Sequence, residues 1–190
     1  SGPFGYLAEK ASTNLSTAST TYVPDTSSSV ASSLGASPDG SLNATTMTAV
    51  GTGIHRVRIP VGAVTATGVA YSVSLFVKRN TAANYTQILN GGDGDYYANF
   101  DLVNGVVGTT GAKTSSSIAA YPNGWFRVTA SYDGTGTTVT NGYVYISPSA
   151  SATYGQAANN AGSTLDLFGS QMEASTYPTS YIATTTTAVT

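Results

Sequence analysis

From Val69 to Lys78 the side chains alternate in character. Val73, Leu75 and Val77 fall on one side of an extended chain, and Ser72, Ser74, Phe76 and Lys78 on the other. A period of two fits a β-strand with one face turned inward and does not fit an α-helix. The alternation returns along the chain. His55, Val57 and Ile59 oppose Arg56 and Arg58, and Pro60 closes that segment. Tyr85 and Gln87 oppose Ile88, and Ala98, Phe100 and Leu102 oppose Tyr97, Asn99 and Asp101. Phe126, Val128 and Ala130 oppose Trp125, Arg127 and Thr129, and Tyr143–Ser147 and Thr164–Glu173 read as further strands.

Turn chemistry separates these runs. Pro38-Asp39-Gly40, Gly91-Gly92-Asp93-Gly94-Asp95, Asn104-Gly105, Pro122-Asn123-Gly124, Asp133-Gly134 and Asn141-Gly142 all favour tight reversals. The segments on either side of Gly91–Asp95 read as a β-hairpin. Residues 12–37, rich in Ser, Thr and Ala, read as loops with at most one edge strand. No window carries a 3.6-residue period, so almost no helix is expected. Many strands at roughly ten-residue spacing predict a single all-β domain over residues 1–190, a sandwich or a barrel. The chain opens Ser1-Gly2-Pro3 without Met, which reads as a domain excised from a larger protein.

Composition narrows the function classes. Only 8% of the 190 residues are charged, against about 25% in ordinary domains. Seven Lys and Arg, in no run, with a net charge of −2, make no footprint for nucleic acid. No apolar stretch approaches the roughly 18 residues of a membrane span. There is no cysteine, so neither disulfides nor thiolate chemistry can form.

Several pieces of the chain, in order, are similar to a known family. They are Tyr6-Leu7-Ala8-Glu9 with Thr13-Asn14-Leu15; Pro38-Asp39-Gly40; Tyr71 to Lys78; Asn99 to Gly105; Asn123-Gly124-Trp125-Phe126-Arg127-Val128; Gly169-Ser170-Gln171-Met172-Glu173; and Tyr177 to Ile182. The sequence resembles the jelly-roll, concanavalin-like carbohydrate-binding modules of phage tail fibres, tailspikes and secreted polysaccharide-active enzymes. The resemblance implies a two-sheet antiparallel β-sandwich of jelly-roll topology and an extracellular or virion-surface location. It carries no ligand residue, because the recurring positions look structural.

Candidate ligand residues come from the alternation instead. Arg56, Tyr85, Gln87, Tyr97 and Asn99 point away from the apolar set. Rings that pack on sugar C–H faces, beside amides and guanidinium groups that bond hydroxyls, are what a glycan needs. An antiparallel sandwich also requires a polar outer face without any ligand, and Asp101 and Arg127 could simply pair across strands. Asp93, Asp95, Tyr96 and Tyr97 sit on or beside the Gly-rich turn. They could hold a sugar or a structural Ca²⁺, although no acid follows at the twelfth loop position, and a plain hairpin turn explains them equally. Trp125 reads as packing, and Glu173 as neutralising an Arg or ligating an ion.

Catalysis ranks last. His55, the one histidine, shares its face with Val57 and Ile59, and a hydrolytic triad would have to use it. Asp93 and Asp95 form the one close carboxylate pair, on a turn. Gly108–Thr114 hints at a phosphate loop, but Ala112 parts Gly111 from Lys113. Asn14, Asn43 and Asn84 begin glycosylation patterns. The expectation is a non-catalytic module for a cell-surface or extracellular glycan. The alternative is a structural or oligomerisation module of a viral fibre, with a homotrimer as one assembly.

Overall fold

In the computed structural model, residues 10–61, 68–135 and 141–189 are described. The Tyr6-Leu7-Ala8-Glu9 piece therefore lies outside the described residues. Twelve strands account for the regular structure there. They are β1 (Val23–Thr26), β2 (Ser28–Gly35), β3 (Ala44–Ala49), β4 (Arg56–Ile59), β5 (Tyr71–Arg79), β6 (Tyr85–Asn90), β7 (Tyr97–Asp101), β8 (Val106–Thr110), β9 (Thr114–Tyr121), β10 (Trp125–Tyr132), β11 (Gly142–Ser147) and β12 (Thr164–Glu173). The only helical element among the described residues is a 3-10 turn at Pro122–Gly124.

The strands form two six-stranded sheets, and every strand pair within them is antiparallel. The first runs β1-β4-β11-β6-β7-β8, and the second β2-β3-β12-β5-β10-β9. The chain is an all-β, two-sheet antiparallel sandwich. The hairpin expected around Gly91–Asp95 is β6–β7, with Tyr85 opposite Asp101 and Leu89 opposite Tyr97.

Alternation sets the core. Val57, Ile59, Ile88, Ala98, Phe100, Val144 and Ile146 from the first sheet meet Met47, Val73, Leu75, Val77, Val128, Ala130, Leu165 and Leu167 from the second. Each fully buried aliphatic or aromatic side chain contributes about 1.5–3 kcal/mol of transfer free energy. Ser72, Ser74 and Phe76 occupy the opposite side of β5, as their period requires.

Both outer faces are partly roofed, which alternation does not show. Over the second sheet runs the C-terminal segment. Tyr181 packs on Phe76 and Phe168, which form a separate cluster with Ala44 and Trp125. Trp125 is buried, and its indole N–H donates to the Ala36 carbonyl at 3.2 Å. The Arg127 guanidinium donates to the Thr179 carbonyl at 2.6 Å. It does not pair with Asp101, which lies in the other sheet and accepts from the Val103 and Asn104 amides. Glu173 neutralises no Arg. Its carboxylate accepts from the Thr179 amide, the Thr179 hydroxyl and Gln171 Nε2 at 2.7–2.8 Å.

Two residues in the pieces that carry the resemblance, Asn14 and Gly169, have structural roles here. Asn14 is a staple: its Nδ2 donates to the carbonyls of Ile182 and Ser170, and its Oδ1 accepts from the amides of Ser16 and Met172. A glycan would replace one of the two Nδ2 hydrogens, costing a donated bond at a side chain that is fully buried. Gly169 sits at φ +63 where the β12 register breaks, and a Cβ there would come within 3.1 Å of Phe76 and Tyr181.

One expectation for an edge segment needs correction. Residues 12–37 hold two strands, β1 and β2, one at the edge of each sheet. Gly108–Thr114, which lacks the Gly-Lys-Thr run of a phosphate loop, ends β8, turns through residues 111–113 and starts β9. Edge strands need backbone pairing on one side only, so Ser, Thr and Gly suffice there and the apolar signal fades.

Candidate functional site

The outer face of the first sheet carries most of the candidate residues, in register across its strands. One row runs Arg56, Tyr145, Gln87, Asn99. The next runs Arg58, Tyr143, Leu89, Tyr97, and on the other flank Ser147, Tyr85 and Asp101 form a third. A continuous open platform does not result, because residues 148–160 cross the face and are bonded to its middle row.

Gln87 and Asn99 are the anchors of that roof. Asn99 Nδ2 donates to the carbonyls of Ala152 at 2.7 Å and Thr109 at 3.1 Å, while its Oδ1 accepts from Gln87 Nε2 at 2.9 Å. Gln87 also reaches the Thr153 carbonyl at 3.0 Å and accepts from the Gly155 amide at 2.8 Å. Gln87 is 1% exposed and Asn99 0%, so neither presents its amide to a ligand. Their expected place on an open face is corrected for that reason: the polar groups are satisfied by loop backbone.

Arg56 is fixed rather than free. Its guanidinium lies 4.6 Å from the centre of the Tyr143 ring, donates to the Tyr145 hydroxyl at 2.9 Å and pairs with Asp25. Desolvation opposes its charge, but the bonds to Tyr145 and Asp25 outweigh it and lift its pKa above the ordinary guanidinium value. Burial raises the Tyr145 and Tyr154 phenols, so both stay neutral; Tyr145 accepts from Arg56, and Tyr154 donates to the Asn90 carbonyl at 3.0 Å. Tyr97 is half-buried, with its ring edge-on to Tyr154 at 6.2 Å between centroids.

The Gly-rich turn is braced by an ion pair. Lys113 Nζ lies 2.9 Å from Asp93 and 3.7 Å from Asp95. Asp93 also accepts from the Asp95 amide. The ammonium already occupies the space between the two carboxylates, so this donor set does not fit Ca²⁺. Among the described residues, no three His, Asp or Glu side chains gather where they could share a metal ion. Tyr96 points inward, fully buried against Tyr132. Its expected place beside a ligand is corrected: the turn tips the ring into the core. His55 is buried too, with Nδ1 2.7 Å from the Ser27 carbonyl and Nε2 2.9 Å from the Ala158 carbonyl. Both ring nitrogens are spent on backbone, and among the described residues no serine hydroxyl bonds to either.

Tyr85 remains, and it opens onto a groove. Asn84, Tyr85, Ser147, Pro148, Asn159 and Asn160 are among the residues lining a depression of about 220 Å³ beside the roof's ends. The Oδ1 atoms of Asn84 and Asn160 are buried and have no hydrogen-bond partner among the described residues. A buried amide oxygen without a partner costs about 1–3 kcal/mol; both oxygens are closed off from solvent, so a donor from outside reaches them only when the groove wall yields. The ring of Tyr85 stands half-exposed next to these amides. Of the residues expected to bind, this groove holds Tyr85 alone. Asn159 and Asn160 carried no sequence signal, because they lie in a loop whose path alternation cannot give. No protein-family model matches the chain, and no curated protein matches it.

Proposed function

We propose that the chain is a non-catalytic carbohydrate-binding module of jelly-roll type, and that the Tyr85 groove takes a sugar ring. The reading rests on one observation: two buried amide oxygens without partners flank a half-exposed tyrosine in a polar groove. Sugar hydroxyls are donors sized for such oxygens, and a phenol ring offers its face to sugar C–H groups. Ser147 and Asn159 add further polar groups to the rim. The insertion of β11 and β12 between strands distant in sequence supports the jelly-roll topology. The resemblance to modules of phage tail fibres, tailspikes and secreted polysaccharide-active enzymes supports a place on a virion or outside a cell. A groove this small gives weak binding per site, which repeated copies in a parent assembly would strengthen.

The test is a printed glycan library followed by calorimetry on its hits. Tyr85→Ala and Asn160→Ala should each lower affinity roughly tenfold, equivalent to about 1.4 kcal/mol. A folded protein that binds no glycan, or variants that bind as the parent does, would refute the reading.

A structural module is the second reading, and the edge of β9 favours it.

A further inference from the structure

A sandwich of two open sheets has four edge strands, and each edge offers unpaired backbone groups to another chain. Three of the four edges in this protein are blunted. β1 carries Pro24 and Asp25, and its register breaks between Pro24 and Thr26. The register of β2 breaks between Ala31 and Gly35. β8 pairs irregularly with β7, and its Thr109 amide is already bonded to the Ala150 carbonyl at 2.8 Å.

β9 has none of these devices. All eight of its residues pair in unbroken register with β10, from Thr114 opposite Tyr132 to Tyr121 opposite Trp125. Its sequence, Thr-Ser-Ser-Ser-Ile-Ala-Ala-Tyr, holds no charge and no proline. Among the described residues, no hydrogen bond from outside the β9–β10 ladder reaches Ser115–Tyr121. The neighbouring β8, Val-Val-Gly-Thr-Thr, is also uncharged and leaves Val106 50% exposed and Val107 36%. β8 and β9 are consecutive and touch, so one whole side of the sandwich is free of strand charges.

We infer that this side is a self-association surface, with β9 pairing antiparallel to β9 of a second copy. The occupant follows from symmetry and charge. A two-fold axis perpendicular to the sheet brings a strand antiparallel to itself and keeps outer face beside outer face. Ser117, near the middle of β9, then meets its own counterpart, and two uncharged strands approach without repulsion. The second sheet continues across the junction, while the exposed valines of β8 supply apolar contact beneath it.

The size sets the strength. Eight residues span about 27 Å, and the sheets lie about 10 Å apart, so the join covers several hundred Å² per copy. Specific interfaces use about 800 Å² per partner, so the dimer is reversible and depends on concentration. This inference is independent of the glycan reading, since the Tyr85 groove lies on other strands.

Analytical ultracentrifugation of the intact chain over a concentration series tests it. The mass should climb from 19.2 kDa toward twice that value. Ser117→Lys sets like charges opposite each other and should return the protein to monomer with an unchanged melt, while Ser117→Thr should retain the dimer. Amide exchange at Ser115–Tyr121 should slow as concentration rises. A chain that stays monomeric up to its solubility limit would overturn the inference. So would association that survives Ser117→Lys, or exchange that slows on another strand instead.

Discussion

Replacing Asn99 with Ala tests the finding that the outer face is roofed by design of the sequence. In the parent protein Asn99 holds four hydrogen bonds at once: to the carbonyls of Ala152 and Thr109, from Gln87 Nε2, and from the Ser147 hydroxyl. Alanine removes all four and leaves the two carbonyls and the Gln87 amide without their partner. Each lost bond is worth about 1 kcal/mol net, and water can reach only some of the groups left behind. A total near 3–4 kcal/mol follows, a large part of the roughly 5–15 kcal/mol that holds a domain folded. At about 2–4 °C per kcal/mol for a domain of this size, Tm should fall by roughly 6–16 °C in scanning calorimetry. Hydrogen exchange should speed up first at residues 150–156, ahead of the core strands. Tyr97→Ala in the adjacent row is the comparison; its half-exposed ring makes no such network, and its Tm should move far less. A melt for Asn99→Ala within a degree of the parent's, with exchange in the roof unchanged, would refute the reasoning.

Acid should weaken the fold through three turn carboxylates. Hydrogen bonds from Ser37 and Ser41 lower the pKa of Asp39. Bonds from Thr135 lower that of Asp133. At Asp101 burial pulls the other way, but the Asn104 and Val103 bonds prevail. Groups with depressed folded pKa values contribute stability above the ordinary value of 3.8, and that contribution is lost as pH falls through the folded values. Tm against pH should therefore drop below about pH 4, and less steeply for Asp101→Asn than for the parent. Gly111→Ala should prevent folding or cost more than about 4 kcal/mol by urea titration, since its Cβ would stand 2.1 Å from the Asp95 carbonyl oxygen. Glu173→Gln should cost roughly 1–2 kcal/mol in the same assay: the amide oxygen can keep the bonds from the Thr179 N–H and Gln171 Nε2, but they lose their charge assistance, and the N–H₂ then faces the Thr179 hydroxyl, which must turn to accept.

Strand positions were legible because a pleated strand with one buried face writes its geometry directly into residue order. Val73, Leu75 and Val77 face the core, and Phe126, Val128 and Ala130 do too, as the period of two required. What that period could not give is the fate of the other face. Trp125, Phe76, Gln87 and Asn99 all point outward from their sheets, yet loops distant in sequence bury them. Nothing local to Asn99 encodes Ala152, which comes 53 residues later. The edge strands were obscured for a different reason: β8 and β9 need no continuous apolar face, so Val-Val-Gly-Thr-Thr and Thr-Ser-Ser-Ser carry no alternation that marks a strand. The outward placement of Tyr85 was legible because it is out of phase with Ile88. The place of Asn159 and Asn160 on the groove wall was not legible, because a loop asparagine looks the same whether it lines a groove or faces solvent.

Backbone and side-chain amide resonances of the isotope-labelled domain, titrated with pooled neutral and acidic oligosaccharides, would interrogate the Tyr85 groove directly. The largest shifts should fall on Asn84, Tyr85, Ser147 and Asn160, with the Asn160 side-chain amide among them. Shifts confined to Arg56, Tyr143 and Tyr97, or a spectrum untouched by every pool, would contradict the assignment of that groove as the place where a sugar is held.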